Sequence, residues 1–126
     1  MRVLLDTHVL VWYLEGNSNL SRPKRELIVK AETEVFVSIA SLWEIAIKTS
    51  IGKLKLSRSL TDILEQLSTQ SIELLHIAPG HVLQVASLAF HHRDPFDRMI
   101  IAQAKVEFLS IVTNDSDFAA YGVKLI

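Results

Sequence analysis

The chain has 126 residues, 49% of them hydrophobic, about one domain's length with enough apolar material for a single core, so a disordered or fibrous protein is excluded. Lys and Arg number 13 against 14 Asp and Glu, and a net charge of −1 means that the molecule as a whole is no electrostatic trap for nucleic acid. The absence of Cys removes disulfide, thiolate and zinc–thiolate chemistry, suits a reducing cytoplasm, and leaves oxygen or imidazole as the ligands of any metal.

Asp6 and His8 interrupt the opening apolar run before it reaches signal-peptide length, and no stretch approaches the roughly 18 apolar residues of a membrane span. No repeat or linker divides residues 1–126, which read as one domain. Val3 to Leu5 has the continuous apolar character of a strand buried on both faces in a parallel sheet, and a helix follows from about Thr7 to Leu14. Ser21 caps a second helix, with Pro23 in its first turn, running to about Glu32. Val35 to Val37 is the second strand. A helix then starts near Ser38 or Ser41 and stops around Gly52, and another covers Ser59 to Ser68. Ile72 to Ile77 is the third strand, and His81 to Phe90 is a helix. Asp94 and Pro95 open a helix that reaches about Phe108. Ile111 and Val112 form the fourth strand, and Val123 to Ile126 a short last one at the sheet edge. This alternation predicts an α/β fold around a central, mostly parallel sheet of four to five strands, whose sites form beyond the carboxyl ends of the strands. Asp6 and Asp115 both occupy that position.

The helix from Asp94 is the most informative segment. At 100° per residue, Asp97 shares a face with Ile100, Ile101, Ala104 and Phe108, so an acid heads an apolar stripe. A structural explanation exists: Asp94 caps the helix and Asp97 reaches back as in a capping box. Met99, Ala102 and Val106 form a second stripe, which predicts cover on both sides of this helix. Glu44 lies at the margin of the stripe of Ala40, Ile47 and Ile51, and its bland role is an ion pair with Lys48 or a capping bond to Ser41. Asp6, Asp115 and Asp117 each serve equally well as cap or turn residues.

The set weighs more than its members. Two strand-end acids and two acids on inward helical faces converge above one end of the sheet, where carboxylates repel by about 4 kcal/mol per pair at about 4 Å. Such a cluster needs a cation, and all-oxygen ligation suits Mg²⁺ or Mn²⁺. Those ions support hydrolysis of phosphodiesters. None of the five His has the spacing of a zinc motif, and each reads as structural or surface, although His91 and His92 lie close enough to Asp94 in sequence for one to touch substrate.

Four segments resemble the PIN-domain nucleases, and among them the VapC-like toxins of toxin–antitoxin pairs. They are Leu4-Leu5-Asp6-Thr7-His8, Ser41 to Lys48 with Gly52-Lys53-Leu54, Asp94-Pro95-Phe96-Asp97-Arg98, and Thr113-Asn114-Asp115 with Asp117-Phe118. The resemblance spans essentially the whole chain. It implies a PIN-like α/β/α sandwich in which Asp6, Glu44, Asp97 and Asp115 hold one or two Mg²⁺ or Mn²⁺ ions, with Asp117 as an auxiliary ligand and Asp94 outside the set. Thr7 or Thr113 orients a carboxylate or a water in this reading. The resemblance also implies single-stranded or looped RNA as substrate, a homodimer, and a VapB-like antitoxin covering the acidic groove. Setting the four acids aside leaves 10 acidic residues against 13 basic ones. Lys48, Lys53, Lys55, Arg58, Arg93 and Arg98 are candidate phosphate contacts.

A rival reading is a receiver-like or other protein-binding α/β module, which has no need of Glu44 or Asp97. A haloacid-dehalogenase-like phosphatase also begins with an Asp after a strand, but it wants a second Asp where His8 stands. The glycine-rich phosphate loop is absent.

Overall fold

The computed structural model describes residues 1–126. In β1 (Arg2–Leu5), Val3 and Leu5 point to one face of the sheet and Leu4 to the other, and all three are fully buried. A strand with two apolar faces needs cover on both sides, and β1 lies in the middle. It is flanked by β2 (Glu34–Ser38) and β4 (Ser110–Val112), with β3 (Glu73–Leu75) beyond β2, in the order β3-β2-β1-β4 and parallel throughout. Leu5 is level with Val37 and with Val112, so the next residue along each strand stands at the same height. Asp6, Ser38 and Thr113 therefore share one rim.

Helices α1 (Thr7–Glu15), α2 (Arg22–Val29), α3 (Ile39–Ser50) and α4 (Leu60–Thr69) supply Leu10, Ile28, Ile45 and Ile63 to the core on the face of Val3 and Leu5. The opposite face is covered by α5 (Pro79–Ser87), α6 (Pro95–Glu107) and a 3₁₀ turn (Ser116–Tyr121), with Ile100, Ile101 and Phe118 packed on Leu4, Phe36 and Ile111. Helices thus cover both faces of the parallel sheet, the α/β fold that the alternation of elements predicts and the α/β/α sandwich that the resemblance implies. No helix is long and apolar enough to cross a membrane.

Caps set the helix starts. The Ser38 Oγ accepts from the Ala40 N–H at 2.9 Å, which places the start of α3 at Ile39, and Ser41 lies buried in its first turn. Asp94 Oδ1 accepts from the N–H groups of Phe96 and Asp97 at 2.8 and 3.0 Å. The cap of α6 is thus Asp94 alone, and no reach-back bond from Asp97 completes a capping box.

Five expectations change, the first being that α2 ends at Val29, where Lys30 turns to extended backbone, and not near Glu32. The third strand shrinks to Glu73–Leu75, because the chain turns at once into α5, leaving His76 exposed outside the strand and its carbonyl accepting from Gln103 Nε2. The last strand reduces to one parallel bridge, Ile111 with Leu125, held along the outer edge of β4 by Ile111 N–H to Lys124 O at 2.8 Å. Helix α5 starts two residues earlier than expected and ends at Ser87. Phe108, expected on the inner stripe of α6, instead ends that helix in the left-handed conformation at φ 55° and is 89% exposed. The helical period stops describing it one residue past the last turn.

Arg98 is also reassigned. It is buried, and its two terminal nitrogens donate to the carbonyls of Ala89, His92, Val85 and Leu88 at 2.9 to 3.4 Å, while Phe90 lies over its guanidinium. Those bonds satisfy the carbonyls left over where α5 ends, so the side chain holds the α5–α6 connection and has no terminal nitrogen to spare for phosphate.

Candidate metal centre

Each acid reaches the common rim from a different element. Asp6 comes directly after β1 and is buried, with Oδ2 accepting from the Thr113 hydroxyl at 2.8 Å and Oδ1 shut away from water with no partner. The same Thr113 oxygen accepts from the Asp115 N–H at 2.9 Å, so one hydroxyl beyond β4 orients the Asp6 carboxylate and the Asp115 backbone together. Thr7 has a different duty. Its hydroxyl donates to Ser41 Oγ at 2.9 Å and ties the start of α1 to α3.

Glu44 projects from the second turn of α3 and is 3% exposed. Its Oε2 accepts from Lys48 Nζ at 2.6 Å, as the i,i+4 spacing allows, but Oε1 is buried without a partner. A solvated surface pair would leave no such orphan. Asp97 stands in the first turn of α6, partly buried. Burial above all, and then the negative charges of Asp94, Asp6, Glu44 and Asp115, push its pKa from 3.8 up to about 7. Burial, with Glu44 acting in the same direction, also raises the pKa of Asp6 against the opposing influence of the Thr113 donor and of His8. The four acids therefore share one electrostatic site.

Asp115 completes the rim. Its Oδ1 accepts from the Asp117 N–H at 2.9 Å, and its Oδ2 lies 3.5 Å from His92 Nε2. Asp117 takes part through its backbone, and its own side chain is exposed outside the cluster. The ligand atoms of His92, Asp97 and Asp115 lie within 4.8 Å of one another, and those of Asp6 and Glu44 stand outside this tight group. The His92 ring packs edge-on against Phe118, and the Tyr121 hydroxyl accepts from the His92 N–H at 2.6 Å and lies 3.2 Å from Nδ1. A ring whose Nδ1–H donates to that hydroxyl presents a free Nε2 lone pair toward the two acids.

Two buried orphan carboxylate oxygens, and a carboxyl whose pKa is raised by burial and four other carboxylates, are the features expected of acids that face a cation. Oxygen donors with one imidazole suit Mg²⁺ or Mn²⁺, the imidazole weighing toward Mn²⁺.

Of the basic residues, Lys48 and Lys53 flank the Glu44 side of the site, while Arg93 is exposed near its opposite side, beside Pro95 and Trp43. Arg58 donates to the Leu14 carbonyl and to Gln66, away from the acids. Sequence reading missed Lys24, whose Nζ donates to the Thr113 carbonyl at 2.7 Å and to Asn114 Oδ1 at 2.5 Å. Nothing in its local pattern marks it, since the contact spans 89 residues.

Comparison with known proteins agrees with this architecture. The PIN domain family model matches residues 3–124. The VapBC2 complex from Rickettsia felis bound to a promoter DNA fragment superposes with a TM-score of 0.75 at 18% identity, covering 100% of this chain and 98% of its counterpart. FitAcB from Neisseria gonorrhoeae gives 0.66 at 21% identity over 98% and 96%. A toxin–antitoxin complex from Klebsiella pneumoniae gives 0.62 at 15% identity over 98% and 95%. At such identities the likeness is one of fold. No curated protein matches the sequence. With its parallel sheet, its rim of acids and a family match running almost from end to end, the chain belongs to the PIN domain family.

Proposed function

We propose that this protein is a Mg²⁺- or Mn²⁺-dependent endoribonuclease and the toxin of a VapBC-type pair. The observation that carries the nuclease reading is the pair of buried, partnerless oxygens, Asp6 Oδ1 and Glu44 Oε1, in the same electrostatic site as Asp97 and Asp115. Asp6, Glu44, Asp97, Asp115 and His92 would hold the ion. A bound divalent ion supplies Lewis acidity toward a phosphoryl oxygen and activates a water for attack in line with the leaving oxygen.

The chain's own groups do the rest. Thr113 fixes the Asp6 carboxylate, Tyr121 fixes the His92 ring, and Lys48 stands beside Glu44 to offset charge on the phosphate. Asp97, with its pKa near 7, binds or releases a proton at neutral pH as the site empties or fills. The receiver-like alternative asks for an open phospho-acceptor, whereas Asp6 is 4% exposed with one oxygen already engaged.

The toxin role and the antitoxin partner are supported by the structural relatives, of which the Klebsiella pneumoniae assembly is described as a toxin–antitoxin complex. A homodimer is supported by an exposed apolar patch beside the site, where Trp43 is 59% and Phe90 83% exposed.

The purified chain should cut single-stranded RNA with Mg²⁺ or Mn²⁺ and stop on chelation, leaving 3′-hydroxyl ends. Cleavage that survives chelation and leaves 2′,3′-cyclic phosphates would refute this chemistry, because a 2′-hydroxyl would then be the attacking group.

A further inference from the structure

Next to the acids, α1, α3 and the turn after α3 enclose a recess of about 180 Å³. Its walls include His8, Trp12, Lys48, Lys53 and Leu54, and Thr7 stands at its acidic end. The His8 and Trp12 rings lie one helical turn apart, 6.0 Å between centroids and inclined by 36°. Trp12 is half-buried, with part of its ring on the core, while His8 is exposed. The N–H groups of Lys53 and Leu54 both donate to the Lys48 carbonyl, at 2.9 and 3.1 Å, and this curl folds the turn after α3 back against that helix so that both lysines line the recess. Lys48 Nζ touches Glu44, so one wall residue of the recess is in direct contact with the acidic rim.

We propose that this recess holds one nucleobase of a single-stranded RNA next to the phosphate being cut, stacked on Trp12 and His8, with Lys53 and Lys48 facing the adjoining phosphates. The inference rests on the nuclease reading and deepens it by assigning a base subsite. An acidic rim repels a polyanion, so the strand needs attachment points close to the rim that do not depend on the ion. The Trp12 indole, with His8 inclined beside it and cations near, provides one, and it accepts any base because every base has a π-face. A peptide aromatic would fill the same volume but leave Lys53 without an anionic partner, since Lys48 alone is paired with Glu44, so the composition of the walls favours the nucleotide.

The test uses the full chain carrying Asp97→Asn, so that RNA is bound and not consumed. Tryptophan fluorescence should be quenched by a short single-stranded RNA, and the quenching should vanish when Trp12→Phe is added, since Trp43 remains as the other indole. An oligonucleotide of the same length with abasic sugars should bind about tenfold more weakly and quench little. In the active chain, Trp12→Ala should raise KM about tenfold with kcat within about threefold, Trp12→Phe should restore KM, and the exposed His8→Ala should raise KM about threefold without risk to the core. Equal binding and quenching by the abasic strand, or an unchanged KM in both Trp12→Ala and His8→Ala, would overturn the base subsite. That failure is distinct from failure of the nuclease reading, in which the parent chain cuts no RNA with either ion.

Discussion

Replacing Asp97 with Asn is expected to lower kcat/KM for RNA cleavage by about 10³-fold, equivalent to about 4 kcal/mol, while making the metal-free protein more stable. The two effects have one cause. Asp97 sits where burial and four other carboxylates oppose its charge, a poor arrangement for a folded chain without a cation and a useful one for holding a cation. Asn keeps the shape and removes the charge. Its gain in stability at pH 8 is expected to be about 1–2 kcal/mol, measured by urea unfolding in the presence of chelator. A structural cap would behave in the opposite way, losing stability and leaving cleavage intact. The cap of α6 is Asp94, which already satisfies the N–H groups of Phe96 and Asp97, so the substitution removes no helix-ending bond.

Stability of the metal-free wild-type chain should fall as the pH rises from about 4 to above 7. The folded-state pKa of Asp97 is raised, so between 3.8 and about 7 the native chain keeps a proton that the unfolded chain releases, and raising the pH favours unfolding. A shift of this size sets a ceiling of about 4 kcal/mol, and solvent screening of a partly exposed group brings the expected loss to about 1–2 kcal/mol. The raised pKa of Asp6 acts in the same direction. Adding Mg²⁺ at pH 8 should reverse the loss, by about 2.7 kcal/mol at 100 times its Kd, and should do so far less in the Asp97→Asn chain. Wild-type stability that is level across this pH range and indifferent to Mg²⁺ would show that the acids are not held together against their charge.

The central fold was legible wherever one residue's local pattern decided its place. Val3 to Leu5 admits only a strand covered on both faces, and Asp6 and Asp115 stand just beyond the strands that their positions in the sequence suggest. Glu44 was ambiguous, because an i,i+4 Lys explains a helical Glu equally well, and only the orphaned Oε1 separates the two readings. Contacts between distant segments left no trace in the pattern. His92 owes its place to Phe118 and Tyr121, more than 20 residues further on, and Arg98 looked like a surface cation because nothing local reveals that α5 ends against it. Asp117 entered as an auxiliary ligand through the family resemblance alone, and a 3₁₀ turn beginning at Ser116 turns its backbone to Asp115 and its carboxylate to solvent. Phe108 and the last strand failed for a simpler reason, since periodicity carries no information about where an element stops.

The most direct test is diffraction from crystals grown with Mn²⁺, read through its anomalous scattering. The expected result is a peak on the strand-end rim, held by oxygens of Asp6, Glu44, Asp97 and Asp115, with His92 Nε2 turned toward it. Saturating Mn²⁺ with no peak at that rim, or with peaks only elsewhere on the protein, would contradict the claim that these residues are gathered to bind a divalent cation.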